Sequence, residues 1–179
     1  MENGDTLLIA YDGSERADRA MEYAAQMLRS TTVQILTAWE PVARQAARAV
    51  SRTGLHQSTV SPDSAEEDPA YEEALTVCQK GIAKAESLGL RAHAHLVESV
   101  TTIQDAIVDA AKELDVDVIV TGTRALTGFR AWWNNSTAEY IVRNAGLPVF
   151  IVPPEVDDEE DAEAGSDFDS GSATDAHSN

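Results

Sequence analysis

The segment from Val116 to Val152 places the strongest constraint on the fold of this chain. Two short apolar runs, Val116 to Thr121 and Pro148 to Val152, flank a glycine-bearing loop and a helical pattern. Residues 118–120 are consecutively apolar rather than alternating, which is typical of a parallel strand covered on both faces. The segment therefore predicts a strand, a loop, a helix and a second strand, with the loop at the carboxyl edge of a parallel sheet.

That loop and the helix start after it contain the residue types that suit an anion site. Open parallel sheets bind their ligands at the carboxyl ends of the strands, and the first amides of a helix lack intrahelical partners and attract anions. The small and polar residues here are Gly122, Gly128, Asn134, Asn135, Ser136 and Thr137. We therefore expect any anionic ligand to bind at this edge.

Length and composition favour a single domain. The chain has 179 residues and 43% hydrophobic content, enough for one substantial core. No apolar run approaches the roughly 18 to 20 residues that span a bilayer, and the N-terminus lacks a secretory pattern, so we expect a cytoplasmic protein without a membrane partner. Cys78 is the only cysteine, and its place in a helical pattern predicts a buried thiol rather than a nucleophile.

The net charge of −18 is concentrated at the C-terminus. Residues 155–179 hold ten carboxylates and no Lys or Arg, so the domain at residues 1–154 carries −8. This segment has almost no apolar residues to bury, and the sequence predicts a disordered acidic tail. Phosphate contacts need a basic face, so the charge argues against nucleic acid as a partner.

Three further strands precede the opening segment, at Thr6 to Ala10, Val33 to Trp39 and Leu90 to Val97. Helical patterns follow Ser14, run from about Ala65 to Leu88, start at Thr101 or Thr102, and follow Ser136. Five strands then alternate with four helices. This alternation predicts a three-layer α/β/α sandwich with a parallel sheet and right-handed connections.

Residues 41–69 form an irregular excursion that is long for an ordinary connection. Arg44, Arg48 and Arg52 recur every four residues and would line one face of a short helix. Two interpretations stay open: a solvated face, or arginines that contact a phosphate or the acidic tail. His93 and His95 would share one strand face, but no third ligand accompanies them at a useful spacing, so we expect no metal site.

Three motifs together resemble the universal stress protein family over roughly Thr6 to Pro153. They are Tyr11-Asp12-Gly13-Ser14 after the first strand, the run from Val118 to Arg124, and Leu147-Pro148-Val149 before the last strand. The resemblance implies a Rossmann-like open sheet with strand order 3-2-1-4-5. It also implies a homodimer through the fifth strand, and that strand is short, apolar and unblocked, as an edge open to pairing would be.

Nucleotide-binding members of that family carry, after strand 4, Gly, two residues, Gly, nine residues, then Gly and Ser or Thr. Gly122, Ala125, Asn135 and Ser136 occupy these positions here, so two glycines are replaced. The resemblance also places Asp12 near an adenosine. It implies a site for ATP or AMP, with no metal apart from nucleotide-bound Mg, and weaker binding than a glycine-complete loop allows. The implied binding residues are Asp12, Gly122, Arg124, Ala125, Asn135, Ser136 and Thr137.

Structural roles compete with these binding roles. Asp12 could cap the first helix, Gly122 could end a strand in a turn, and Ser136 could cap the last helix. Trp132 and Trp133 could stack on a base, close a partner interface, or pack the loop onto the sheet.

The sequence contains no convincing catalytic constellation, so we expect a regulator rather than an enzyme. The first hypothesis is a cytosolic stress-response protein that binds an adenine nucleotide. The second is a nucleotide-independent dimeric interaction module with an unidentified protein partner. The third is a slow nucleotide hydrolase.

Overall fold

The computed structural model describes residues 5–30, 32–53, 67–123 and 136–155. Within them the elements follow in the order β1 Leu7–Ala10, α1 Glu15–Met27, β2 Thr32–Trp39, α2 Val42–Thr53, α3 Pro69–Ser87, β3 Arg91–Glu98, α4 Ile103–Glu113, β4 Val118–Gly122, α5 Thr137–Asn144 and β5 Val149–Val152. None of the described helices is long and apolar enough to cross a membrane.

The five strands form one parallel sheet in the order β3-β2-β1-β4-β5. This confirms the predicted fold class and strand order. In the centre of the sheet Ile9 lies between Ile35 on β2 and Val120 on β4. All three side chains are fully buried. The consecutive apolar residues of the central strands therefore mark a sheet covered on both faces.

Each face of the sheet has its own hydrophobic core. Leu7 and Ile9 belong to a cluster with residues of α1 and α3, whereas Leu8 belongs to a cluster with residues of α4 and α5. Successive strand residues point to opposite faces, so α1 and α3 cover one side and α4 and α5 cover the other. The result is the predicted three-layer sandwich.

Cys78 and His95 both serve the packing of the sheet. The Cys78 thiol is buried 3.9 Å from the Ile35 carbonyl, and burial raises its pKa, so the predicted buried thiol is confirmed. His95 Nε2 lies 2.7 Å from the Gln34 side-chain oxygen on β2, and burial lowers the pKa of this histidine. Across the described ranges, no three His, Cys, Asp or Glu side chains group as a metal site would require.

The excursion at residues 41–69 is not irregular throughout, because it begins with helix α2, on which the arginines recur every four residues. Two of its arginines, Arg44 and Arg48, contact the end of β3 and the residues that follow it. Arg44 forms an ion pair with Glu98 at 2.9 Å and donates to the Ser99 carbonyl. Arg48 likewise donates to the Thr101 carbonyl. Glu98, Ser99 and Thr101 are therefore bound to α2, whereas the Arg52 side chain falls outside the described residues.

A buried carboxylate closes the excursion. Asp68 is only 2% exposed, and its Oδ1 accepts a hydrogen bond from the Ala70 amide at 2.9 Å, which caps α3. Its Oδ2 accepts from the Val42 amide at the start of α2, at 3.0 Å. Asp68 and the proline after it set the start of α3 at Pro69, rather than near Ala65 as the sequence pattern predicts.

Candidate functional site

A crevice of about 430 Å³ opens at the carboxyl ends of β1 and β4. These strands are neighbours, but α1 packs on one face of the sheet and α5 on the other. Diverging connections of this kind leave a gap at the sheet edge, where open α/β sheets bind ligands. The volume lies within the range of roughly 300 to 1,000 Å³ typical of small-molecule sites.

Asp12 stands at the β1 side of the crevice without capping the helix itself. Ser14 is the N-cap of α1, and its hydroxyl accepts from the Ala17 amide at 3.3 Å. Asp12 Oδ1 accepts from the Ser14 amide at 3.0 Å and from the Ser14 hydroxyl. The Asp12 side chain remains 66% exposed, so its carboxylate is available to a ligand.

Gly122 ends β4 where the backbone of α1 passes very close. A Cβ at this position would lie 2.5 Å from the Arg16 carbonyl oxygen and 2.9 Å from the Arg16 carbonyl carbon. Only glycine leaves room for such an approach. The structural reason for Gly122 is therefore the packing of α1 against β4, and the same residue lines the crevice.

Ser136 immediately precedes α5. It has extended backbone angles, and its hydroxyl accepts from the Glu139 amide at 3.0 Å, which confirms the N-cap prediction. Ser136 and Thr137 both line the crevice. The start of α5, with the positive end of its dipole, thus faces the space between β1 and β4.

The structure brings four of the seven predicted binding residues to this crevice, namely Asp12, Gly122, Ser136 and Thr137. The predicted contacts of Arg124, Ala125 and Asn135 fall in residues 124–135, outside the described part of the chain. The alternatives for Trp132 and Trp133 lie in the same range.

Sequence reasoning missed the apolar wall and the basic residue of the crevice. Leu36 and Ala38 from the end of β2 and Ile103 and Ile107 from the start of α4 supply the wall. Ile107 is buried, whereas Ile103 is 36% exposed. Arg16 also lines the crevice. Its signal in the sequence is its position one helical turn after Asp12.

A hydrogen-bonded carboxylate joins α4 and α5, two of the helices that border the crevice. Asp105 on α4 accepts from the hydroxyls of Thr101 at 2.6 Å and Thr102 at 2.8 Å, and from the hydroxyl of Tyr140 on α5. The hydrogen bond from Thr101, followed by those from Tyr140 and Thr102, lowers the pKa of Asp105 to about 2. The hydrogen bond to Asp105 raises the pKa of Tyr140. This cluster fixes α5 relative to α4.

Tyr11 lies beneath the crevice, in the hydrophobic core between the sheet and helices α1 and α3. It follows β1, is 2% exposed, and its hydroxyl donates to Asp18 on α1 at 2.5 Å. Burial, with the hydrogen bond to Asp18, raises the pKa of Tyr11 well above its ordinary value of 10.0. The strand end that carries Asp12 is thereby tied to α1.

Comparison with known proteins agrees with this architecture. The model of the universal stress protein family matches residues 4–153. Universal stress protein MJ0531 of Methanocaldococcus jannaschii is 33% identical over 81 residues, which are 45% of this chain and 46% of that protein. The match thus spans about half of the relative's length.

Solved structures share the fold at lower identity. A universal stress protein in complex with cAMP has a TM-score of 0.58 and 20% identity, over 83% of this chain and 97% of that one. The universal stress protein of Archaeoglobus fulgidus in complex with dAMP has a TM-score of 0.55 and 20% identity, over 84% and 98% of the two chains. At these identities the likeness shows the fold.

Proposed function

The chain belongs to the universal stress protein family, and on that premise we propose that it is a cytosolic stress-response regulator that binds an adenine nucleotide. The proposed ligand is ATP or AMP, held in the crevice between β1 and β4. The proposal concerns binding rather than turnover.

The observation that carries this proposal is the convergence of Asp12, Gly122 and Ser136 on one crevice from three separate segments of the chain. A carboxylate accepts hydrogen bonds from ribose hydroxyls. A glycine lets a phosphate approach the backbone closely, and a helix start attracts its charge. The related proteins solved with cAMP and dAMP support the choice of an adenine nucleotide.

The apolar wall gives the base a place of its own. Leu36 and Ala38 from β2 and Ile103 from α4 supply apolar lining to the crevice. Purine rings are flat and largely apolar on their faces, so their burial against such side chains is favourable. We expect the nucleotide to lie with its base at this wall, its ribose near Asp12 and its phosphates near Gly122 and α5.

Binding should be weaker than at a glycine-complete loop. If Ala125 and Asn135 each cost roughly 1 to 2 kcal/mol through strain or lost backbone approach, each lowers affinity by about 5- to 30-fold. Replacing both with glycine should therefore tighten ATP binding. Tight binding by the wild type, with no gain in the glycine variant, would make Asn135 a phosphate ligand instead.

The proposal is tested by identifying ligand released from purified protein by mass spectrometry and by titrating stripped protein with ATP, AMP and GTP in a calorimeter. Asp12→Asn should weaken adenine nucleotide binding, while Asp109→Asn, on an exposed part of α4, should not. Ser136→Ala should weaken binding more than Ser136→Thr, which keeps a capping hydroxyl. ADP appearing in the ATP sample would instead favour the slow hydrolase.

The second candidate is a nucleotide-independent dimeric module, and the edge strand β5 favours it. Within the described sheet β5 pairs with β4 alone, and its residues are all apolar. The Pro148 carbonyl accepts a hydrogen bond from the Ile119 amide of β4, and the Val152 carbonyl accepts one from the Thr123 amide just after β4. Since the amide and carbonyl of one residue point to the same side in a parallel strand, the amides of Val149 and Ile151 face the open edge.

Light scattering of wild type and Ile151→Pro separates this candidate from the first. The substitution removes an outward amide and keeps the bonds to β4, so a dimer through β5 should dissociate while the monomer stays folded. A nucleotide-free dimer that dissociates in the variant would favour the second candidate. A monomeric wild type at micromolar concentration would exclude this interface.

A further inference from the structure

Arg16 lies at the end of the crevice where β4 meets α1. Its carbonyl oxygen would be 2.5 Å, and its Cβ 3.0 Å, from a Cβ placed on Gly122. The side chain of Arg16 therefore begins directly beside the end of β4, and the residue lines the crevice together with Ser136. In the proposed nucleotide orientation, this is the phosphate end.

Arg16 supplies the positive charge among the described lining residues of the crevice. Among the described lining residues, Arg16 is the single cation and Asp12 the single carboxylate. The chain as a whole carries −18, so a phosphate that enters this site meets an unfavourable surrounding potential. A guanidinium at the phosphate end would offset that repulsion locally.

The Arg16 guanidinium is only loosely engaged by Asp12. Its Nη2 lies 3.9 Å from Asp12 Oδ2, a separation too long for a direct hydrogen bond, and the side chain is 35% exposed. An arginine offers five N–H donors in a planar fork that matches phosphate oxygens. Arg16 can thus turn to a phosphate without breaking a close ion pair.

We propose that Arg16 is a phosphate-binding residue of this crevice, which supplies the charge that selects a nucleotide over a nucleoside. The inference rests on the proposed nucleotide site and adds the residue that discriminates between the two ligands. Gly122 contributes indirectly, because the close packing that it permits brings Arg16 to this position. The replaced glycines at Ala125 and Asn135 increase the reliance on a side-chain contact.

The test compares AMP with adenosine by calorimetry on stripped full-length protein. Arg16→Gln should lower AMP affinity by roughly tenfold or more and leave adenosine affinity unchanged. Arg16→Lys should recover part of the loss, because the charge remains without the fork. Arg29→Gln removes an exposed arginine beyond the crevice and should bind both ligands as the wild type does. Arg124→Gln is measured alongside.

Each result decides the inference. A wild type whose AMP affinity falls with added salt, and an Arg16→Gln variant whose affinity no longer does, would support it. Unchanged AMP binding in Arg16→Gln, or an equal loss of AMP and adenosine, would overturn it. A loss of the AMP preference in Arg124→Gln alone would assign the role to Arg124. If the wild type binds neither ligand, the proposed function fails and the inference falls with it.

Discussion

Gly122→Ala tests whether the α1–β4 contact controls both stability and ligand binding. The added Cβ would stand 2.5 Å from the Arg16 carbonyl oxygen, where ordinary van der Waals contact begins at 3.4 Å. The obstructing atom is backbone, so the first turn of α1 must move by close to an ångström. Overpacking of this kind costs about 1 to 3 kcal/mol, which for a chain of this size lowers Tm by about 2 to 12 °C.

The same displacement moves Arg16 relative to the crevice, so nucleotide affinity should fall together with Tm. Thermal unfolding by circular dichroism and AMP titration by calorimetry measure the two effects. Gly89→Ala is the matched control. Its φ of +80° makes alanine strained, but no atom lies within 4 Å of the new Cβ. That variant should lose about 1 to 2 kcal/mol of stability and keep its AMP affinity.

A Gly122→Ala protein with the Tm and the AMP affinity of the wild type would contradict both expectations. In that case the end of β4 would have room for a side chain, and the close approach of Arg16 to Gly122 would have no role in stability or in ligand binding. A lower Tm with unchanged affinity would retain the packing argument and remove the link to the ligand.

Three further predictions address the supporting contacts. Tyr11→Phe should lower the free energy of unfolding by about 1 kcal/mol at pH 7, measured in urea. Because the folded-state pKa of Tyr11 is raised, the stabilisation by its neutral hydroxyl is present below pH 10 and is lost as the pH rises above it. The stability of the wild type should therefore approach that of the variant by pH 12, and a stability difference that does not change with pH would contradict this. Asp105→Asn should lower Tm at pH 7, because a folded-state pKa of about 2 means that the ionised Asp105 stabilises the fold at pH values above its ordinary pKa of 3.8. In calorimetry the difference in Tm between wild type and variant should shrink as the pH falls from 4 to 2, and a difference independent of pH would contradict this. Deleting residues 156–179 should change Tm by less than about 2 °C at moderate salt, and a loss of several degrees would mean that the tail binds the domain. Glu155 is kept because it forms an ion pair with Arg19 at 2.9 Å.

The strands could be predicted because their signal is local. Leu7, Leu8 and Ile9 are successive and all buried, so a run of apolar residues suffices to recognise a strand covered on both faces. The strand order came from the resemblance to the family. Helix α2 was indicated only by the four-residue spacing of its arginines, and two of these, Arg44 and Arg48, make its described hydrogen bonds to Ser99 and Thr101.

The site was predictable where residues follow directly from strand ends or helix starts. Asp12 and Gly122 come after strands, and Ser136 precedes a helix, so topology alone brings them together. Arg16 and Tyr140 could not be placed in this way. Arg16 reaches the crevice through a close backbone approach, and Tyr140 meets Asp105 across a separation of 35 residues. Such contacts depend on side-chain directions that periodicity does not specify.

Asp68 has a consequence for how this domain tolerates change. Because one carboxylate holds the beginning of α2 and the beginning of α3 together, the two ends of the excursion meet at a fixed point of the body. The entropic cost of closing a longer loop grows only slowly with its length. We therefore expect an insertion between the end of α2 and Asp68 to have little effect on the sheet. Protein engineers have at this position an insertion point remote in sequence from the β1 and β4 ends.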